Sequence, residues 1–183
     1  MLNKKSIGDV KIAISGKSGC GNTTLSRHLA DTLKLRFINF TFRNLAQEKN
    51  LSLMEVLALA ETDDSWDIEV DRRQVEMARE EGGCVLGSRL SVWMLPEADL
   101  KVYLMARPET RAQRINNREG GNLEEIAEFT AARDRQDRER YMRIYNIDNN
   151  DYFFVDMVIE TDQVSPEEIA VQIIDELKRK LSL

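Results

Sequence analysis

The chain has 183 residues, 32% of them charged, and a formal net charge of −6. This length allows one α/β domain with helices on both faces of a sheet, and the acidic balance argues against general nucleic-acid binding. The sequence shows no signal peptide and no segment that could span a bilayer, so we expect a cytoplasmic protein without a membrane partner. Cys20 and Cys84 are expected to be free thiols, because their spacing indicates neither a disulfide scaffold nor a zinc site.

Residues 11–25, KIAISGKSGCGNTTL, predict a phosphate-binding loop. A β-branched, apolar run over residues 11–15 predicts a buried strand, and Leu25, Leu29 and Leu33 predict a helix over 24–33. Strand, glycine-rich turn and helix are the context that the pattern G-x-x-x-x-G-K-[ST] requires. Such a loop directs backbone N–H groups and a helix N-terminus at phosphate. The predicted ligands of ATP are Gly16, Lys17, Ser18, Gly19, Cys20, Gly21, Asn22, Thr23 and Thr24.

Two positions of this loop decide what chemistry it supports. The Thr23 hydroxyl is the predicted ligand for the Mg²⁺ that accompanies ATP. Asn22 stands where the pattern has lysine; its amide donates hydrogen bonds but brings no charge. Lys17 is the candidate for the missing ammonium. A tight strand-to-helix connection without any ligand is the alternative interpretation.

The rest of the chain alternates between predicted helices and strands. Ser52 with Glu55 forms a capping box, Asn122 with Glu125 caps a long helix, and Ser165, Pro166 and Glu168 open the last helix. This alternation predicts a parallel α/β sheet with its ligands at the carboxyl ends of the strands. The helical block 40–80 is predicted to cover the site. Strands are predicted at 36–39, 84–87, 100–104 and 153–161, and helices at 40–49, 52–60, 65–80, from 108, from 122 and at 165–181.

Arginines supply the candidate anion-binding groups, because their planar forks bind phosphate through two hydrogen bonds. Arg89 follows a buried strand, where a parallel sheet delivers residues to a ligand. The alternative for the helical arginines is surface ion pairing, which is strongest for Arg135 with Glu139 and for Arg138 with Asp134. The arginines predicted to face the loop are Arg43, Arg89, Arg133 and Arg140, and those predicted to share one helix face are Arg111, Arg114 and Arg118.

Two further groups of residues have structural interpretations. The residues predicted to fill the core are Trp66, Trp93, Met54, Met77, Met94 and Met105. Asp148, Asp151 and Asp156 would suit Mg²⁺, although carboxylates around a turn are more often solvated.

The chain resembles the cytidylate kinases of the nucleoside monophosphate kinase family, most closely the short archaeal-type branch. The resemblance rests on Phe42-Arg43 and on segments whose order and spacing match the family over nearly the whole length. Those segments are VDRRQ (70–74), SRLSVWMLPEADLKVYLMARPETRAQRI (88–115) and ARDRQDRERYMRIYNID (132–148).

The resemblance implies a three-layer P-loop kinase domain over 1–183, with a five-stranded parallel sheet in the order 2-3-1-4-5. It also implies a monophosphate-binding region at about 40–80 and a short lid at about 107–122. The implied reaction transfers the γ-phosphoryl of ATP, with Mg²⁺, to CMP or dCMP. Nucleotides would be the partners of a chain expected to be a monomer.

The resemblance also assigns residue roles. Arg43, Arg89 and Arg140 would hold the acceptor phosphate, and Arg133 and Asp137 would contact its ribose. Arg114 and Arg118 would be lid cations. The predicted catalytic set is Arg114, Arg118 and Arg140, to which the loop sequence adds Asn22 and Lys17.

Asn22 and Gly87 depart from the family pattern, since close relatives carry an acidic residue in place of Gly87. They motivate an alternative, a nucleotide-binding module without catalysis. A further alternative keeps the kinase and changes the acceptor to another small metabolite. Leu90 replaces an aspartate that contacts cytosine in bacterial members, so the resemblance leaves base identity open.

Overall fold

The structure, a computed structural model, describes residues 6–182. A parallel five-stranded sheet in the order β2-β3-β1-β4-β5 forms its centre, which confirms the predicted fold class and strand order. The strands are β1 (Lys11–Gly16), β2 (Arg36–Ile38), β3 (Cys84–Gly87), β4 (Leu100–Met105) and β5 (Met157–Glu160). The helices are α1 (Asn22–Leu33), α2 (Phe42–Glu48), α3 (Leu53–Ala60), α4 (Ser65–Arg79), α5 (Ser91–Met94), α6 (Pro108–Glu119), α7 (Leu123–Tyr145) and α8 (Pro166–Leu181).

Helices cover both faces of the sheet, which explains why β1 is a continuous apolar run rather than an alternating one. On one face, α1 and α8 pack against β1 and β4 through residues such as Leu29 and Ile173, both fully buried. On the other face, Ala78 of α4 and Leu95 after α5 pack against Leu86 of β3. The result is three layers of secondary structure.

The strand register places the site at one edge of the sheet. Ile14 of β1 pairs with Gly87 of β3, and Gly16 pairs with Leu104 of β4. Because all strands are parallel, the loops that follow β1, β3 and β4 leave the sheet side by side.

Several predicted boundaries differ from the structure. The last strand begins at Met157 instead of residue 153, because Asp156 closes its start by exchanging two hydrogen bonds with Lys101. The first helix begins earlier, at Asn22, and α2 begins later, at Phe42, because Thr41 and Asn44 form a capping box. The short α5 was not predicted.

The prediction that Met54 fills the core is wrong. Its side chain lies on α3 and is 74% exposed. Trp66 and Met77 do pack against a core cluster, as predicted. Within residues 6–182, no helix combines the length and apolarity needed to cross a bilayer.

Candidate functional site

A cleft of about 730 Å³ lies at the carboxyl edge of the sheet. Its floor is the phosphate-binding loop (residues 16–23), and α4, α6, α7 and the end of β3 supply its walls. Most of the predicted site residues line it. These are the loop residues Gly16, Lys17, Ser18, Gly19, Cys20, Gly21, Asn22, Thr23 and Thr24, together with Arg89, Arg114, Arg118, Arg133 and Arg140.

Two predicted site residues lie elsewhere. The side chain of Arg43, on α2, is exposed and is not among the residues that line the cleft. Asp137 lies behind the cleft wall, where it is buried and paired with Arg89 and Arg140. Its position is that of a residue that orients the two arginines.

The phosphate-binding loop is braced from below by Arg111 of α6. Gly19 has φ +83°, and a Cβ there would lie 2.8 Å from the Cβ of Arg111, so only glycine allows this approach. The Arg111 Nε donates to the Ser18 carbonyl at 2.8 Å, and its Nη1 pairs with Asp134 at 2.7 Å. The buried guanidinium therefore fixes the path of the loop.

The Asn22 side chain is fully engaged by the protein. Its Nδ2 donates to the Ile14 carbonyl at 3.0 Å and to the Ser88 carbonyl at 3.1 Å, while its Oδ1 accepts from the Ser26 hydroxyl at 3.0 Å. An amide nitrogen has two hydrogens. Both are donated to main-chain oxygens, so this conformation holds the ends of β1 and β3 together and leaves no amide hydrogen for a phosphate.

Gly87 belongs to the same contact. A Cβ at Gly87 would lie 2.5 Å from the Ser26 hydroxyl and 3.1 Å from the Asn22 Oδ1. No side chain fits there without displacing this pair. Asn22 and Gly87 are therefore adjacent in space and compatible with each other.

Arg89 joins the loop to the opposite wall of the cleft. Its Nη2 donates to the Ser18 hydroxyl at 3.0 Å, and its Nη1 pairs with Asp137 at 3.0 Å. Arg140 pairs with the same carboxylate at 2.7 Å and with Asp67 at 3.2 Å. Alternating charges thus hold two guanidinium groups beside the loop.

Arg133 adds a third cation to this wall. Partial desolvation on the cleft wall, followed by the positive charge of Arg89, lowers the pKa of Arg133. Repulsion between neighbouring cations is relieved when an anion binds between them. The three arginines therefore form a site suited to phosphate.

The cations of α6 and of the loop take different positions. Arg114 Nη1 donates to the Thr161 hydroxyl at 2.9 Å and to the Gly19 carbonyl at 3.3 Å. Arg118, one turn later, is exposed and pairs with Glu119. Lys17 lines the cleft. The pKa of Asp148 is lowered mainly by its hydrogen bond with Arg138 and to a smaller extent by the charge of Lys17.

One face of α4 forms a cleft wall that the sequence analysis missed. Asp67, Val70, Asp71 and Gln74 line the cleft, and their spacing of three and four residues places them on one side of the helix. We call this set the α4 cleft face. The sequence did contain a signal for this wall. Polar residues occupy positions on α4 that a buried helix normally fills with apolar ones.

Asp71 is the most perturbed carboxyl of the α4 cleft face. Burial raises its pKa to about 6. The hydrogen bond that Tyr145 Oη donates to its Oδ2 at 2.8 Å lowers the pKa but does not outweigh the effect of burial. A carboxylate kept in an unfavourable environment within a cleft is a candidate functional group.

Asp71→Asn is expected to stabilise the protein at pH 7.5 by about 2 kcal/mol. The folded state holds the Asp71 proton more tightly than the unfolded state. The cost of ionisation is therefore fully present above about pH 6 and disappears as the pH falls toward 4. Urea unfolding at pH 7.5 and pH 4.5 measures the difference, and Asp31→Asn, at an exposed position on α1, is the control. A variant less stable than the wild type at pH 7.5 would contradict this reasoning.

The predicted surface pair of Arg138 with Asp134 is wrong. Arg138 instead forms a two-pronged ion pair with Asp148, and Asp134 pairs with Arg111. Asp156 pairs with Lys180. Among the described residues, no group of three or more acidic, cysteine or histidine side chains is placed to hold a metal ion.

Cys84 is buried in β3, as predicted, and Cys20, a free thiol as predicted, is buried as well. Burial, the largest influence, raises the pKa of the Cys20 thiol, which disfavours the reactive thiolate form.

Comparison with solved structures shows the fold. Shikimate kinase from Bacteroides thetaiotaomicron superimposes with a TM-score of 0.60 at 18% identity, covering 95% of this chain and 99% of that one. A deoxyadenosine kinase from M. mycoides with bound dATP gives a TM-score of 0.54 at 16% identity, covering 92% and 100%.

Comparison of sequences shows the family. "Cytidylate kinase 2" of Borreliella burgdorferi is 43% identical over 175 residues, which cover 93% of this chain and 97% of that protein. A cytidylate kinase of Pyrococcus horikoshii is 43% identical over 158 residues, covering 85% and 82%. The sequence model of the cytidylate kinase-like family matches residues 11–163. The chain therefore belongs to the cytidylate kinase-like family.

Proposed function

We propose that this protein transfers the γ-phosphoryl group of ATP to CMP or dCMP, giving ADP and the corresponding diphosphate. The names of its relatives support the nucleotide class, because both compared proteins are cytidylate kinases. The observation that carries the proposal is the position of Arg89, which bonds both to the phosphate-binding loop and to the carboxylate that holds Arg140. One guanidinium thus connects the ATP side of the cleft with a second anion site.

On the ATP side, the loop N–H groups and the start of α1 bind the triphosphate. Arg114 lies beside the loop, bonded to Gly19, and supplies positive charge that Asn22 does not. Mg²⁺ enters with ATP as part of the substrate. The Thr23 hydroxyl fits it, because it is exposed in the cleft and, among residues 6–182, accepts only a long 3.4 Å hydrogen bond from Asn39.

On the acceptor side, Arg89, Arg133 and Arg140 bind the monophosphate and orient one of its oxygens toward the γ-phosphorus. Phosphoryl transfer needs two phosphates held in line and cations over the transferring group. The acceptor oxygen is already anionic, so the reaction needs no general base. Residues 40–80 form the monophosphate-binding region and 107–122 the lid in this proposal, with Arg43 and Arg118 reaching the substrates on closure.

The proposal includes a cytoplasmic monomer. The buried thiol of Cys20, which forms no disulfide, fits a reducing compartment.

A substrate panel tests the function. The pure protein is incubated with ATP, Mg²⁺ and each of CMP, dCMP, UMP, AMP and GMP, and ADP formation is measured. We expect CMP to be converted fastest. ATP and CMP binding by calorimetry without ADP formation would instead identify a nucleotide-binding module, and conversion of none of them with ATP bound would point to a different acceptor.

A further inference from the structure

The end of the cleft beyond the arginines carries polar groups that phosphate binding does not use. Gln74 is 5% exposed, and its Oε1 is buried without a hydrogen-bond partner among the described residues. Such an atom normally costs free energy to keep. It lines the cleft, so a ligand is the natural partner.

Asp71 lies one turn before Gln74 on the same face of the helix. Its Oδ2 accepts from Tyr145, and its Oδ1 accepts no hydrogen bond from the part of the chain that the structure describes. The two residues therefore present two hydrogen-bond acceptors to the same region of the cleft.

The distance along α4 suits a nucleoside. Asp67 pairs with the phosphate-site residue Arg140, and Gln74 lies seven residues further, about 10 Å along the helix axis. This is the scale that separates a 5′-phosphate from the far edge of a base. Buried Phe40 and Val70 also line the cleft and supply apolar walls for a flat ring.

We propose that Gln74 and Asp71 recognise the base of the acceptor nucleotide by accepting hydrogen bonds from the 4-amino group of cytosine. This inference rests on the proposed function and assigns its base selectivity. An exocyclic amine has two hydrogens, which match two acceptors. Uracil carries a carbonyl oxygen at the same position, and the ionised Asp71 carboxylate facing it has no hydrogen to donate.

The burial of Asp71 agrees with this assignment. The environment raises its pKa, so the free protein holds an ionised acceptor here at a cost in stability. A side chain that served only folding would be expected to stabilise the folded state. Side chains that serve ligand binding often destabilise it instead.

The test compares CMP with UMP in the full chain. Gln74→Met keeps the length of the side chain and removes the acceptor. We expect kcat/KM for CMP to fall by about 10²-fold while that for UMP changes little, so the CMP-to-UMP ratio falls by a similar factor. Gln74→Glu keeps an acceptor and should keep the preference for CMP. Gln172→Met, at an exposed position on α8, is the matched control and should change neither value.

Asp71→Asn is the second variant, and its expected gain in stability removes concern about folding. Its amide can donate to the uracil carbonyl, so we expect UMP to gain relative to CMP. Calorimetric titration of CMP and UMP without ATP gives the same comparison for binding alone.

The outcomes separate the two proposals. If the wild type prefers CMP and Gln74→Met lowers CMP and UMP turnover equally, the base assignment is wrong and the kinase function stands. If the wild type does not phosphorylate CMP, both are wrong.

Discussion

Arg89→Met is expected to lower kcat/KM for CMP by about 10³-fold. Arg89 contacts the loop through Ser18 and the acceptor wall through Asp137. Its loss removes a cation from the acceptor site. It also removes the contact between the loop and the acceptor wall, which sets the distance between the two phosphates. Steady-state kinetics with ATP and CMP varied separately measures the effect, and we expect the larger increase in KM for CMP.

Arg89→Lys separates charge from geometry. Lysine keeps the positive charge but lacks the planar fork that bonds Ser18 and Asp137 together, so only part of the activity should return. Arg135→Met, at an exposed position on α7, is the matched control and should stay within about twofold of the wild type. Activity of Arg89→Met within about threefold of the wild type would rule out the acceptor site described above.

Asn22→Lys has the second largest expected effect, a fall of about 10²-fold in kcat together with lower thermal stability. The substitution restores the lysine of the loop pattern, which by sequence alone should raise or preserve turnover. The structure indicates the opposite. The amide holds the Ile14 and Ser88 carbonyls and accepts from Ser26, and a lysine cannot accept the last of these hydrogen bonds.

Thermal unfolding and ATP kinetics together distinguish the two roles of Asn22. Asn22→Asp keeps the size of the side chain but places acceptors against two carbonyls, so it should also destabilise the protein. Asn150→Lys, in an exposed turn, is the control for added charge. An Asn22→Lys protein that melts like the wild type and turns over faster would show that the loop merely lacks a lysine.

The fold could be predicted from the sequence because its signals are local. The apolar run of β1, the leucine spacing of α1 and the capping boxes at Ser52 and Ser165 each specify an element within a few residues. The alternation of such elements then leaves few topologies. Boundaries shifted where a distant partner decided them, as for β5, whose start Asp156 fixes against Lys101.

The partners of polar side chains could not be predicted in the same way. Arg138 had a carboxylate four residues before it, yet it pairs with Asp148, because the tertiary fold gives Asp134 to the buried Arg111. The fate of the Asn22 amide likewise depends on Ser88, which is 66 residues away in sequence. The α4 cleft face was missed because its polar residues acquire meaning only when the helix lies against the cleft.

The attachment of α6 to the loop limits how the neighbouring segment can swing. Arg111 and Arg114 tie the first half of the helix to the carbonyls of Ser18 and Gly19, so that half follows the loop as one body. The part of this segment that can move is the C-terminal end of α6, which carries Arg118. It is followed by Gly120 and Gly121, which both have positive φ. Closing over a nucleotide would then be confined to the end of α6 and the two glycines after it. Of the three arginines on this helix, only Arg118 would change its neighbours between the open and closed forms.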